Sequence, residues 1–187
     1  NNLRIFSGQI SMYGYNDNNL LETKIDWALN FFPGTEERER LWGSRIIGYE
    51  NEEDKNWHYF LGKNILYEVL KIMNKNPRYP TTKNDSFQID MEDDNFVYIV
   101  KTQCWQKPDP IEKVLGLIFK YCDIPEKCKK PLKIICMAHQ EYELTNGKFT
   151  LFDNVAPKHQ LFLNLAKEMN ITYVKFSDLV REMNQRR

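Results

Sequence analysis

The sequence lacks any apolar run long enough to cross a membrane, which would require about 18 to 20 consecutive apolar residues. It also lacks the pattern of a secretory signal peptide, in which a basic start precedes a short apolar segment and a small-residue cleavage site. Both absences argue against a secreted or membrane-embedded protein. We therefore expect an intracellular protein with no membrane partner.

Neither sign of charge is in excess. The 26 basic and 26 acidic residues cancel to a formal net charge of zero. Proteins that bind nucleic acid tightly and without sequence preference carry an excess of positive charge near the phosphates. The balance counts against such binding over the whole surface, but it is compatible with a local basic cleft.

Several chemical motifs are also missing. The eight glycines form no phosphate-binding loop, and no nucleophile elbow is present. The four cysteines show no CxxC-type zinc spacing, so we expect reduced, partly buried thiols. The three histidines lie far apart without metal-ligand spacing: His58, His139 and His159.

The chain does have the length and apolar content of one globular domain. It contains 187 residues, of which 42% are hydrophobic and 13% aromatic. We predict a single domain over residues 1–187. Within it, residues 1–19 mix Asn, Gly, Tyr and Ser without periodicity and are expected to form an N-terminal arm.

The spacing of apolar residues predicts alternating helices and strands. Helices are predicted over Leu20–Phe32, Trp57–Met73, Ile111–Tyr121 and Pro157–Met169, with a last helix that starts at the N-cap residue Ser177. Strands are predicted over Phe87–Met91, Phe96–Cys104, Leu132–Ala138, Lys148–Phe152 and Ile171–Phe176. This order predicts an α/β fold, a mixed sheet with helices on both faces.

The first two predicted strands carry the most informative residues. An acidic turn over residues 92–95 joins them into a hairpin, with Asp90 on its first arm and Lys101 on its second. Because side chains alternate along a strand, Ile99 and Lys101 share a face. A lone lysine among apolar strand residues is unusual, so Lys101 is a candidate functional residue.

This hairpin resembles that of the PD-(D/E)XK nucleases, in which an aspartate is followed on the next strand by an acid and, two residues later, a lysine. Asp90 and Lys101 match the motif, whereas Ile99 occupies the position of the acid and Ile89 that of the proline. The following segment, IEKVLG to AHQEYE, is similar to a helix-then-strand block of restriction-endonuclease-like proteins, including some from large DNA viruses. The resemblance covers about residues 57–143.

The resemblance implies a restriction-endonuclease-like mixed β-sheet flanked by helices, and an Mg²⁺-dependent endonuclease that hydrolyses phosphodiesters of duplex DNA. Asp90 would bind the metal, and Lys101 would position the attacking water or stabilise developing charge. Glu68, or Glu112, would be the second carboxylate. Ile99 cannot replace an acid, because the ligands of Mg²⁺ are oxygens.

Two hypotheses therefore remain open. In the first, the chain is a divergent nuclease relative whose catalysis is impaired or lost. In the second, it is a non-enzymatic scaffold or interaction protein, such as a viral structural protein, with protein partners or a larger assembly. The corresponding locations are the cytoplasm, the nucleus or the virion. Replacement of an acid by a β-branched apolar residue on a central strand predicts that Ile99 is buried, in contact with Val97 and the Trp57–Met73 helix.

Overall fold

A computed structural model describes residues 20–30, 57–80, 89–103 and 110–186. The predicted N-terminal arm, 1–19, lies outside these residues. The helices are α1 (Leu20–Asn30), α2 (Trp57–Ile72), α3 (Pro110–Leu115), α4 (Leu117–Tyr121), α5 (Ile124–Cys128), α6 (His139–Asn146), α7 (Pro157–Glu168) and α8 (Phe176–Arg186). The strands are β1 (Met91–Glu92), β2 (Val97–Gln103), β3 (Leu132–Ala138) and β4 (Ile171–Lys175).

The four strands form one mixed sheet in the order β1-β2-β3-β4. β1 pairs with β2 in the antiparallel sense, whereas β2, β3 and β4 run parallel. The helical connections from β2 to β3 and from β3 to β4 allow this parallel pairing. The predicted mixed α/β class, with a sheet flanked by helices, is confirmed.

Two apolar cores lie on opposite faces of the sheet, which we call the α2 face and the α4 face. On the α2 face, helices α1, α2 and α8 pack against residues such as Tyr98 and Val100. On the α4 face, helices α3, α4, α5 and α7 pack against residues such as Val97 and Ile99. The alternation of side chains along β2 explains the division, since neighbouring residues point to opposite cores.

Helix α2 ends where its sequence predicts. Its inward residues are almost fully buried, as expected from their helical spacing. Asn74 follows the helix with a φ of 56°, the left-handed conformation that ends many helices. The N–H of Asn74 donates to the carbonyl of Lys71, and that of Lys75 donates to the carbonyl of Leu70, both at 3.0 Å. These bonds satisfy carbonyls at the helix end.

The turn of the β1–β2 hairpin is built around one buried carboxylate, that of Asp93. It accepts bonds from the backbone N–H groups of Asn95 and Phe96 at 2.7 Å and from the hydroxyl of Tyr98 at 2.6 Å. An aspartate that bonds the backbone two residues later is a frequent device for making a tight turn. The predicted acidic turn is therefore confirmed, with Asp93 as the residue that shapes it.

Some predicted elements differ from the structure. The predicted strand Lys148–Phe152 is wrong: the N–H groups of Leu151 and Phe152 donate back to the carbonyl of Leu144, so this segment folds against α6. The predicted helix Ile111–Tyr121 is divided at Gly116. Ser177 is not an N-cap, because α8 already begins at Phe176.

Other differences concern missed or truncated elements. Helices α5 and α6 were not predicted. Strand β3 has the predicted bounds, and β4 and α7 are each one residue shorter than predicted. The predicted strand Phe87–Met91 is wrong in its placement: residues 89–90 are not in a strand, and β1 begins only at Met91. Residues 87–88, and Cys104 at the end of the next predicted strand, lie outside the described residues. Within the described ranges, no helix combines the length and apolar character needed to span a membrane.

Candidate functional site

Asp90 lies immediately before β1, and both of its carboxylate oxygens have partners. Oδ1 lies 2.8 Å from Nζ of Lys63, and Oδ2 accepts a hydrogen bond from the backbone N–H of Val100 at 2.8 Å. The backbone N–H of Asp90 donates to the carbonyl of Tyr98 at 2.9 Å. Asp90 thus adds two hydrogen bonds to the short β1–β2 pairing, one from its backbone N–H and one to its side chain.

A glycine brings Lys63 to this position. A Cβ atom on Gly62 would lie 2.8 Å from Cγ2 of Thr102 and 3.0 Å from Cγ1 of Val100, closer than side-chain atoms normally approach. Helix α2 can therefore pack directly on β2 only because residue 62 has no side chain. This close approach places the neighbouring Lys63 at the edge of the strand, beside Asp90.

Lys101 lies on β2 and is half-buried, on the same face of the strand as Ile99. Burial lowers the pKa of its amine, the negative charge of Asp90 raises it, and the positive charges of Lys120 and Lys63 lower it further. Asp90, just before β1, thus lies near enough to Lys101, on β2, for its charge to raise the pKa of the lysine. Within the described part of the chain, no carboxylate oxygen is close enough to form an ion pair with the Lys101 amine.

The structure does not bring Glu68 to Lys101. Glu68 is on α2, where Nζ of the buried Lys24 lies 3.1 Å from its carboxylate. The same amine donates to Oδ1 of Asn64 at 2.6 Å, so Lys24 ties α1 to α2. Glu68 is not one of the charges that shift the pKa of Lys101. Its observed role is structural.

Glu112 is exposed near the start of α3 and, like Glu68, has no resolved effect on Lys101. Among the residues that the structure describes, no group of three or more His, Cys, Asp or Glu side chains could hold a metal ion. Among the carboxylates of the described residues, that of Asp90 raises the pKa of Lys101 without forming an ion pair with it.

Ile99 is 1% exposed and belongs to the apolar core of the α4 face. Its predicted burial near Val97 is confirmed. The predicted contact with the Trp57–Met73 helix is wrong, because the buried residues of α2 belong to the core on the other face. Ile99, which the resemblance aligns with the acid of the PD-(D/E)XK motif, is thus part of an apolar interior.

A second polar contact lies at the carboxyl ends of β3 and β4. The carboxylate of Glu141, on α6, accepts hydrogen bonds from both the backbone N–H, at 3.0 Å, and the hydroxyl of Ser177 in the first turn of α8. Burial raises the pKa of Glu141, while the bonds from Ser177 oppose this increase. A carboxylate near a helix N-terminus is favourably placed with respect to the helix dipole.

Sequence reasoning missed Lys63, Lys120 and Glu141. The glycine that precedes Lys63 is the only signal that could have indicated a close helix–strand approach there. Lys120 and Glu141 carry no local signal, because their positions depend on how α4 and α6 pack on the sheet.

Comparison with known proteins finds no matching family model, no matching curated protein and no matching solved structure. The fold and the site define a mixed α/β protein with a half-buried lysine on a strand whose backbone is bonded by a paired aspartate. The resemblance to PD-(D/E)XK nucleases therefore depends on the residues of the hairpin and of the block that follows it.

Proposed function

We propose that this chain is a divergent relative of the PD-(D/E)XK nucleases, with a restriction-endonuclease-like fold, in which metal-dependent DNA cleavage has been lost. The order of elements along the chain supports the proposal. A helix is followed by an antiparallel hairpin with Asp90 and Lys101, and then by a helical segment that leads to a parallel strand. The residue types and spacing of the motif lysine and aspartate are retained.

The observation that carries the loss of cleavage is the pairing of Asp90. Its two oxygens contact Lys63 and the N–H of Val100, and the position of the second acid is the buried Ile99. A two-carboxylate site holds the divalent cation that polarises the phosphate and activates water. One carboxylate that already pairs with a lysine is a poor substitute, because the cation would have to displace an ammonium group.

The test is a cleavage assay of purified protein on supercoiled and linear duplex DNA with Mg²⁺ or Mn²⁺, with a restriction enzyme as positive control. We expect no cleavage above background and no saturable Mn²⁺ binding by calorimetry. Cleavage that depends on the metal and is abolished by Lys101→Ala would contradict the proposal, and would point to a carboxylate outside the described residues as the missing ligand.

The alternative is a non-enzymatic interaction protein, and one observation favours it. Phe119 is 76% exposed on α4, and Leu161 and Leu165 are 70% and 45% exposed one turn apart on α7. Single exposed apolar side chains are common, but a contiguous apolar patch often marks a protein contact, and Leu161 and Leu165 are neighbours on one helix face. Sedimentation of the protein against a Leu161→Gln, Leu165→Gln variant tests whether this surface supports self-association.

A further inference from the structure

Helix α7 carries a stripe of four residues on its exposed side. Leu161 and Leu165 are the apolar members, one turn apart. Lys158 lies three residues before them and Glu168 three residues after them, and both are exposed. Successive spacings of three, four and three residues keep all four side chains on one side of a helix. We call these four residues the α7 stripe, and Ala166, on the opposite side of the helix, is buried.

The two charged residues of the α7 stripe lie at unfavourable ends of their own helix. Lys158 is the second residue of α7, near the positive end of the helix dipole, and Glu168 is the last residue, at the negative end. Helix α8 has the favourable arrangement, with Asp178 in its first turn and Arg186 in its last. Neither Lys158 nor Glu168 forms an ion pair with another residue of the described ranges, so no such partner compensates their charges there.

The α7 stripe is symmetric about the position of Leu163. Leu161 and Leu165 lie two residues to either side of this position, and the two charged residues lie five residues to either side. A second α7 that packs antiparallel, across a two-fold axis at the level of Leu163, brings each Leu161 to the Leu165 of the other copy. The same arrangement brings each Lys158 to the Glu168 of the other copy. The stripe is therefore complementary to itself in this orientation.

The antiparallel orientation also places each charge at a favourable end of the other helix. Each Lys158 lies beside the negative C-terminal end of the other α7, and each Glu168 lies beside its positive N-terminal end. A parallel pair would place lysine opposite lysine and glutamate opposite glutamate, and like charges across an interface are unfavourable. Charges that are unfavourable within one helix become favourable in the antiparallel pair, which argues for a second copy as the occupant of this surface.

We infer that the α7 stripe binds the α7 stripe of a second copy of this chain, in an antiparallel pair about a two-fold axis. The inference rests on the alternative function, for which it names the partner, and it is independent of the loss of DNA cleavage. One helix from each copy buries less surface than the interface of a standard stable complex. The dimer is therefore weak and exists in equilibrium with the monomer.

Analytical ultracentrifugation over a range of protein concentrations tests the dimer. We expect the wild type to sediment faster as its concentration rises. Lys158→Glu creates two contacts between like charges in the dimer, and so does Glu168→Lys, so each should raise the Kd about tenfold. An equimolar mixture of these two variants should associate again, because each copy then meets opposite charges at both ends of the helix. This recovery distinguishes antiparallel self-pairing from a general loss of the surface.

Lys167→Glu is the matched control, because it reverses the charge of an exposed lysine on α7 outside the stripe and should leave the Kd unchanged. The Leu161→Gln, Leu165→Gln variant should remain monomeric, and circular dichroism confirms that each variant is folded. The inference is overturned by a wild type that stays monomeric at every concentration, by equal weakening in Lys167→Glu, by a dimer that survives in the double leucine variant, or by a mixture that does not associate.

A monomeric wild type that binds a different protein through the α7 stripe would also overturn the inference, while leaving the alternative function intact. The cleavage assay reports separately on the proposed loss of nuclease activity. The failure of the dimer and the failure of the proposed function are therefore distinguishable.

Discussion

The carboxylate of Asp90 accepts a hydrogen bond from the backbone N–H of Val100 at 2.8 Å. Strand β1 has only two residues paired with β2, so this side chain supplies the next acceptor that a longer strand would have supplied from its backbone. Asp90 therefore has a structural role in the hairpin, which a metal-binding aspartate would not need to have.

Replacing Asp90 should destabilise the fold. Asp90→Ala leaves the N–H of Val100 and the amine of Lys63 without this partner, and we expect a loss of about 1–3 kcal/mol in the free energy of unfolding. Asp90→Asn retains an oxygen that can accept the hydrogen bond from the N–H of Val100, so it should lose less stability than Asp90→Ala. Denaturant unfolding measures both variants.

The control for Asp90 is Asp178→Ala, which breaks the exposed pair with Arg181. Exposed ion pairs contribute little, so we expect a loss of at most about 1 kcal/mol. If Asp90→Ala were no more destabilising than this control, the contact with Val100 would not hold the hairpin, and a functional reason for Asp90 would be required.

Ile99 should behave as a core residue rather than as the lining of a wet cleft. Ile99→Val should cost roughly 0.5–1.5 kcal/mol, because it removes one methylene from a filled interior. Ile99→Glu should cost several kcal/mol and should not restore metal binding, since it places an unpaired carboxylate among apolar residues. Denaturant midpoints report the first effect, and calorimetry with Mn²⁺ the second.

Ile72→Val, at the half-buried end of α2, is the matched control for Ile99 and should lose less stability. An unchanged midpoint for Ile99→Val would show that the site is open to water. A gain of metal binding in a folded Ile99→Glu protein would show that the surroundings still accommodate an acid.

Gly62→Ala should separate α2 from β2. The added methyl group would meet Thr102 and Val100 at 3.0 Å or less, and overpacking of this kind typically costs about 1–3 kcal/mol. The shift should also weaken the pair between Lys63 and Asp90. Thermal unfolding measures the loss of stability, and NMR chemical shifts of the Val100 amide report the change at the strand.

Gly116→Ala is the control for Gly62. Its Cβ would lie no closer than 3.3 Å to other atoms, and the backbone of Gly116 has right-handed helical angles, which alanine adopts readily. We expect a smaller effect on stability than at Gly62. Equal effects at both glycines would mean that the close approach of α2 to β2 is not the cause.

The burial of Glu141 should make stability depend on pH. Burial raises the pKa of Glu141 in the folded protein above the ordinary value of 4.5, so the folded state holds the proton more tightly than the unfolded chain. The resulting stabilisation is present below the ordinary pKa and is lost as the pH rises through the raised pKa. The stability of the wild type relative to Glu141→Gln should therefore decrease over this interval.

Ser177→Ala provides the opposite variant. Its hydroxyl donates to the Glu141 carboxylate and holds the pKa of that group down, so its removal should make the pH dependence steeper. Denaturant unfolding between about pH 4 and pH 7 compares the three proteins. Parallel curves for all three would show that Glu141 does not titrate differently in the folded state.

The sequence by itself determined the elements whose signals are local. Helix α2 and strand β3 have long, regular apolar patterns, and their predicted bounds agree with the structure to within one residue. The alternation along β2 also determined which residues share a face with Lys101, because side chains in any strand alternate. A short polar helix such as α6 was missed. Its one buried apolar residue is Leu144, so it has no repeating apolar pattern that would predict a helix.

Only the tertiary structure decided what each face of the sheet contacts and which charges meet. Lys24 and Glu68 are 44 residues apart in sequence, and Ser177 and Glu141 are 36 apart, so no local pattern could reveal either contact. Alternation placed Ile99 and Lys101 on one face but could not show that α4, rather than α2, packs against Ile99. The partner of Asp90 depended on a close helix–strand approach at Gly62, a packing distance that is set when the elements assemble and that no single element encodes.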